Sequence, residues 1–287
     1  MKVWLDGQLV DKQDAKLTVF DHGILYGDGV FEGIRAYNGK VFQCQAHIDR
    51  LYRSATGICL AIPYTKQEIV NAMYETLTAN GVVDGYIRLV ITRGPGTLGL
   101  GPDRCPSPSV FIIADQIALY PEHMYAEGLA VIIAKTVRVS ASMLSPAIKS
   151  LNYLNNIMAK VEANEAGVAE AIMLNVDGNV AECTGDNIFI VKDGQLITPP
   201  KSAGILEGVT RGVVRHLASK LDVSCIENNI TPKELCAAQE CFLTGTAAEV
   251  IAVTKVDGKA IGSGKAGPVT TKLLAAFREF IASGQEL

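Results

Sequence analysis

The sequence predicts an α+β chain folded as two domains. Short strand-like pieces pair across turn signals near the start, and two amphipathic helical stretches follow before the next strands. Beyond about residue 128 the strands become more apolar and alternate with helices.

The elements follow in order. Val3–Leu5 and Gln8–Val10 flank a DGQ turn, and Gly33–Tyr37 and Val41–Gln43 flank YNGK, so each pair reads as a hairpin. Ile48, Leu51, Ala55 and Ile58 recur at helical spacing, as do Ile69, Val70, Met73 and Leu77. Tyr86–Thr92 and Val110–Ala114 read as strands around a Gly/Pro-rich loop. Residues 1–117 thus form a small α+β domain, 118–128 a connecting loop and 129–287 a larger domain. The larger domain has strands at Leu129–Ala134, Ala171–Asn175, Asn187–Val191, Cys241–Thr244 and Val250–Val253. Its helices are Asn152–Ala166, with Leu154, Ile157, Met158 and Val161 on one side, and Arg211–Leu221, with Val213, Val214, Leu217 and Leu221. From Val269 the chain ends in a helix carrying Leu273, Leu274, Phe277 and Ile281. A cleft between two such domains is where ligands commonly bind.

Bulk properties exclude several function classes. The 287 residues are 48% hydrophobic and 20% charged with a net charge of -4, which gives no reason to expect a nucleic-acid or anionic-membrane partner. No apolar run approaches the ~18 residues of a membrane span, and the charged N-terminus does not resemble a signal peptide. The seven cysteines are scattered and form no CxxC pair, so reduced thiols in the cytoplasm are expected and no zinc site.

Four features could carry chemistry. Lys149 lies in AIKSLNYLNN, with uncharged residues at 140–148 and 150–159, and apolar neighbours favour the neutral amine that carbonyl chemistry needs. Alone, a lysine at a helix entry is more often simply solvated. Glu182, after the turn Asp177–Gly178, falls on a strand; if buried it needs a cationic or N–H partner, such as a protonated ring nitrogen. LEGVTRGVV (206–214) leads into a helix with Thr210 as candidate N-cap, and free helix N–H groups bind phosphate. LTGTAAE (243–249) ends a strand in small residues that let backbone N–H groups approach an anion. Each has an ordinary structural explanation when taken alone.

Together they form an ordered pattern. Glu182 is followed by Thr184, Asn187 and Phe189, then Leu196, Thr198 and LEGVTR, with HGILYGDGVFEGIRAY upstream and DGKAIGSGKAGPVTTKL downstream. Over its whole length the chain resembles class IV (fold type IV, D-amino-acid aminotransferase-like) pyridoxal-phosphate (PLP) enzymes, and among them the branched-chain amino-acid aminotransferases. The resemblance implies an active site in the interdomain cleft. Lys149 would hold PLP and shuttle the substrate proton, and Glu182 would pair with the pyridine nitrogen. Arg50, Val209, Thr210 and Thr246 would serve the phosphate end, Leu206 would also bind the cofactor, and Tyr153 would lie near the 3′-oxygen. Tyr26, Phe31 and Gly33 would wall the side-chain pocket; Tyr86 and Arg88 would place carboxylates. Leu100 would be lent by a neighbouring subunit, Tyr120 would come from the interdomain loop, and Thr246 and Ala247 would also meet substrate. The implied reaction exchanges nitrogen between Leu, Ile or Val and 2-oxoglutarate, in a homodimer or dimer-based oligomer, without metal. Cys183 departs from the glycine common after the key glutamate and introduces an oxidisable sulfur.

The same fold also serves D-amino-acid and (R)-amine transaminases and aminodeoxychorismate lyase. No histidine occurs between His47 and His123, so the arginine–x–histidine carboxylate clamp of the D-specific enzymes is missing. A non-catalytic PLP-binding protein is disfavoured by the joint presence of Lys149, Glu182 and Arg50.

Overall fold

The computed structural model describes residues 1–117 and 120–287. The chain divides into two units, one of Met1–Ile117, Ile148–Asn152 and Gly284–Leu287, the other of Ala118–Ala147 and Tyr153–Ser283. The division differs from the expected one at two places, because 148–152 and the C-terminal residues cluster with the first unit. The physical reason is hydrogen bonding: Lys149 N–H donates to Ser54 Oγ (3.1 Å), and Gln43 Nε2 donates to the Gln285 carbonyl (3.0 Å). Of the expected connection, positions 118 and 119 lie outside the described residues, and the short helix Glu122–Glu127 occupies part of the rest.

The first unit contains β1 (Lys2–Leu5), β2 (Gln8–Asp11), α1 (His22–Tyr26), β3 (Gly29–Tyr37), β4 (Lys40–Val41), α2 (Cys44–Gly57), α3 (Lys66–Ala79), β5 (Gly85–Thr92) and β6 (Ser109–Asp115). The strands form one sheet in the order β2-β1-β6-β5-β3-β4. Asp6 and Gly7 both take positive φ, +45° and +98°, as a tight hairpin turn requires. Helices α2 and α3 supply Ile48, Leu51, Ile69 and Met73 to a core shared with Val30, Ile34, Ile87, Leu89 and Ile112. A Thr65–Glu68 capping box starts α3. Side chains alternate across a strand, so Glu32 shares the helix-covered face with Val30 and Ile34. Phe31 and Gly33 take the opposite face, with Arg88 in register with Gly33. Residues 149–151 add to the start of β3: Phe31 N–H donates to the Lys149 carbonyl and Leu151 N–H to that of Gly29 (3.0 and 2.9 Å).

The second unit contains α4 (Glu122–Glu127), β7 (Leu129–Ile133), α5 (Leu154–Glu165), β8 (Glu170–Leu174), β9 (Val180–Cys183), β10 (Asn187–Lys192), β11 (Gln195–Thr198), α6 (Val209–Lys220), β12 (Cys225–Glu227), α7 (Pro232–Cys236), β13 (Glu240–Gly245), β14 (Glu249–Val256), β15 (Lys259–Ala260) and α8 (Pro268–Ser283). Its mixed sheet runs β12-β11-β10-β13-β14-β7-β8-β9, with β15 on β14. The hairpin expected before Glu182 is β8–β9, with Met173 opposite Glu182. Phe189 and Phe242 stack at 5.0 Å across β10 and β13. On α8, Leu273 and Phe277 are buried, with Phe280 in the place expected for Ile281.

Two expectations are corrected. Gly208, not Thr210, is the N-cap of α6; it makes no side-chain cap bond, and Thr210 is a buried residue of the first turn. The apolar stripe of α5 does not face its own core. Leu154, Ile157, Met158 and Val161 are 39–68% exposed, while Asn156, Ala159 and Ala163 face inward. Helix and sheet here approach through alanines, Ala159 and Ala163 against Ala171 and Met173, which leaves no room for the larger side chains.

Candidate active site

In the first unit, Lys149 is fixed by its backbone at the start of β3, as described above. Its Nζ lies 4.6 Å from the Phe31 ring centroid. Arg88 Cζ lies 4.6 Å from the same centroid and 5.5 Å from that of Tyr86. Lysine, phenylalanine, arginine and tyrosine therefore make one patch on the face that the helices leave uncovered. Gly33 is required there, because a Cβ on it would stand 1.9 Å from Tyr86 Oη. The patch offers an amine, an aromatic wall and a guanidinium aimed by two rings, which suits a carboxylate-bearing substrate with an apolar side chain.

Behind it, on the opposite face of β3, lies a buried charged cluster. Arg50 donates through Nε to Glu32 Oε1 (2.8 Å) and through Nη2 to Glu32 Oε2 (2.7 Å), and His47 Nδ1 is 2.8 Å from Oε2. Arg50 is only 5% exposed and Glu32 0%, so Arg50 is not a solvated helix residue. Burial alone would raise the Glu32 pKa, but the contacts with Arg50 and then His47 bring it well below the carboxylate range. Burial lowers the His47 pKa, with Arg50 and Lys149 adding to the effect and Glu32 opposing it. Sequence reasoning identified Arg50 and missed Glu32 and His47; the available signal was Glu32 between Val30 and Ile34 on an apolar strand face.

The other pocket-wall residue of this unit, Tyr26, ends α1, and its hydroxyl accepts the Gly99 N–H (3.0 Å). That contact ties α1 to the Gly-rich loop that carries Leu100, which is 81% exposed.

In the second unit, Glu182 is buried and accepts donors at both oxygens. Arg138 reaches Oε1 through Nε (3.0 Å) and Nη2 (2.9 Å). Asn187 Nδ2 (3.1 Å) and the Leu206 N–H (3.0 Å) reach Oε2. Leu206 also accepts from Asn187 Nδ2 at its carbonyl (2.9 Å), so the segment entering α6 is tied to the carboxylate. With Gly208 as a cap that makes no side-chain bond, the first N–H groups of α6, Val209 and Thr210 among them, are left available to an anion. Gly208 is needed because a Cβ would lie 2.0 Å from Asn187 Oδ1, and Gly245 because one would lie 1.7 Å from Asp186 Oδ1. The strand opposite Asn187 carries Thr244, in register, whose buried Oγ1 has no hydrogen-bond partner. Thr246 and Ala247 follow in the turn, partly buried. A buried carboxylate beside a free helix N-terminus and an unsatisfied hydroxyl fits a ligand with a basic ring nitrogen and a phosphate.

Three further positions complete the expected set. Tyr153 is the N-cap residue of α5 and is partly buried. Tyr120 packs in the second core, and burial followed by Asp186 and Glu170 raises its hydroxyl pKa far above normal. Cys183 is 1% exposed, and burial followed by the Glu170 and Asp186 carboxylates raises its thiol pKa. The oxidation liability expected there is therefore small, because the thiolate is the reactive form. Arg138 was missed, although its charge stands just before the uncharged stretch at 140–148. Among the described residues no group of His, Cys, Asp and Glu could hold a metal, and no helix is long and apolar enough to cross a membrane.

Comparison with known proteins adds an independent line. The model of the amino-transferase class IV family matches residues 29–256. A putative branched-chain-amino-acid aminotransferase of Methanocaldococcus jannaschii is 50% identical over 97% of this chain and 96% of its own length. A D-alanine aminotransferase of Listeria monocytogenes is 38% identical over 98% and 96%. A crystal structure of the T.th. branched-chain amino acid aminotransferase with pyridoxamine 5′-phosphate superposes with a TM-score of 0.95 at 34% identity, covering 99% of this chain and 95% of that one.

Proposed function

The chain belongs to the class IV aminotransferases, and from that premise we propose that it exchanges amino groups between branched-chain L-amino acids and 2-oxoglutarate with pyridoxal phosphate as cofactor. The observation that carries this reading is the Glu182 carboxylate, tied through Leu206 to the open N-terminus of α6. When bound, pyridoxal phosphate supplies an aldehyde for the amino group and a protonated ring that accepts the electrons left at the α-carbon.

The residues divide the work. Lys149 holds the cofactor through its amine, then removes the substrate α-proton and delivers it to C4′. Glu182 keeps the ring nitrogen protonated. Arg50, Val209, Thr210 and Thr246 hold the phosphate, with Leu206 fixing the approach to α6, and Tyr153 orients the 3′-oxygen. Phe31, Tyr26 and Gly33 wall the side-chain pocket, where each methylene contributes ~0.8 kcal/mol. Arg88 and Tyr86 meet carboxylates, including the γ-carboxylate of glutamate, with Thr246 and Ala247 beside the substrate.

The working assembly is a homodimer or is built from dimers, with Leu100 given to the neighbouring subunit and Tyr120 near the substrate. The exposed stripe of α5 supports this, since four large apolar side chains at helical spacing are seldom left in water. The seven free cysteines are the support for a cytoplasmic location. One observation favours a second reading, D-amino-acid transamination: the Listeria relative is 38% identical. Holoenzyme absorbance decides between them. L-leucine alone should convert the bound cofactor in a single turnover faster than D-alanine; the reverse order would overturn the branched-chain assignment.

A further inference from the structure

We infer that Arg138 is a positioning residue for this chemistry: it fixes the charge and direction of Glu182 so that the shared proton stays on the cofactor's ring nitrogen. The inference rests on the reading of Glu182 as the partner of that nitrogen.

The geometry is specific. Arg138 and Glu182 are 8% and 5% exposed, and two guanidinium nitrogens converge on one carboxylate oxygen at 3.0 and 2.9 Å. Arg138 is itself held at several points. Its backbone N–H donates to the Leu174 carbonyl (2.8 Å), and its Nη1 donates to Asn156 Oδ1 (3.1 Å) and Asn155 Oδ1 (3.4 Å). Asn156 Nδ2 is anchored to the Thr184 carbonyl (2.8 Å). Asn155 clamps the backbone on either side of the arginine, accepting from Val139 N–H (3.1 Å) and donating to the Val137 carbonyl (2.9 Å). The first turn of α5 thus aims the guanidinium.

Stability is a poor explanation for such an arrangement, since a buried ion pair is often no better than well-packed apolar residues. Proton placement is a better one. A carboxylate and a ring nitrogen that face each other share one proton, and its position follows their relative proton affinities. Arg138 touches the carboxylate directly, so its charge lowers the affinity of Glu182 more than that of a nitrogen beyond it. Asn187 and Leu206 add neutral donors to the other oxygen but no charge. Without Arg138, burial favours the neutral acid, the proton shifts from nitrogen to Glu182, and the ring accepts electrons poorly.

The test is 15N NMR of holoenzyme loaded with pyridoxal phosphate labelled at the ring nitrogen. The wild type should give a protonated-nitrogen signal and Glu182→Gln an unprotonated one. Arg138→Met should move the signal toward that of Glu182→Gln and slow α-proton removal about ten- to hundred-fold, the worth of charge-assisted hydrogen bonds. Arg138→Lys, which keeps the charge and loses the two-point grip, should fall between wild type and Met; it also stands alone should Met fail to fold. If Glu182→Gln moves the signal while folded Arg138 variants leave it at the wild-type position, the inference is overturned and the Glu182 reading survives. If Glu182→Gln leaves the signal in place, both fall.

Discussion

Removing Arg50 should do two separable things, and pH separates them. Glu32 is fully buried and bonded twice by Arg50, so Arg50→Ala strands a carboxylate beside His47. Breaking one side of a buried pair costs roughly 3–5 kcal/mol, or about 6–20 °C in Tm at roughly 2–4 °C per kcal/mol. His47 then changes role. In the wild type its pKa is lowered from 6.5, so its contribution to stability is present above that value and is lost as pH falls. In Arg50→Ala the unpaired Glu32 should raise the His47 pKa above 6.5. Its contribution is then complete below 6.5 and lost as pH rises through the new value. The Tm gap between variant and wild type should therefore be smaller near pH 6 than near pH 8. Thermal unfolding of the cofactor-free proteins across that range reads this directly. Adding Glu32→Gln should recover much of the stability and remove the pH trend. It should not recover PLP affinity, because the phosphate would still lack its cation. A gap independent of pH, or an Arg50→Ala protein as stable as wild type, would refute the coupling; wild-type PLP affinity in the double variant would refute the phosphate role.

The remaining predictions concern turnover and assembly. Lys149→Ala should lose transamination by several orders of magnitude, since attachment and proton transfer both depend on one amine; steady-state assays at saturating PLP check it. Arg88→Ala should slow the glutamate half-reaction more than the leucine one, measured by single-turnover absorbance, and equal losses would leave Arg88 with a packing role against Phe31 and Tyr86. Valine should trail leucine in kcat/KM by about ten-fold or somewhat more, the usual reach of one methylene. Ile157→Asp on the exposed stripe of α5 should shift the protein toward monomer in analytical ultracentrifugation with its circular dichroism intact. An unchanged sedimentation coefficient would remove that stripe from the interface.

Much of this was legible in the sequence because the relevant signals are local. Period-two strands and DG or NG turns marked β1, β2, β5 and β6 closely, β3 only from Gly33 onward and β4 only at Val41, and apolar runs marked β10, β13 and β14, because side-chain alternation and turn chemistry act over a few residues. The α5 stripe shows the limit. Leu154, Ile157, Met158 and Val161 have the spacing of a core face, yet the helix buries Ala159 and Ala163 instead. Periodicity reports that a face is apolar; it does not report what covers it. The α6 start was misplaced for a similar reason, since Thr210 is a better cap by composition than Gly208. Only the tertiary contact of Asn187 with residue 208 requires glycine there.

The site divides along the same line. Lys149 could be picked out by its uncharged flanks, Glu182 by its place on a strand after a turn, and the 206–210 segment by the helix start that it leads into. The residues that hold them could not be picked out from local pattern, Arg50 being marked only by the family resemblance, because a buried arginine looks in sequence like any surface arginine. Arg50, Arg93 and Arg138 each end on a carboxylate, Glu32, Asp28 and Glu182 respectively, at sequence separations of 18, 65 and 44. No local pattern spans those distances. Two of the three pairs involve residues of the proposed site: Glu32 is the neighbour of Phe31 on β3 and the partner of Arg50, and Glu182 is the residue proposed to meet the ring nitrogen. In a protein whose cofactor brings both a dianion and a cationic ring, placing fixed guanidinium groups against carboxylates sets the local charge before any ligand arrives. Catalysis then does not depend on solvent to reorganise it. That is the physical reason to expect Arg138, which carries no motif of its own, to matter to proton placement alongside the residues that the motifs mark.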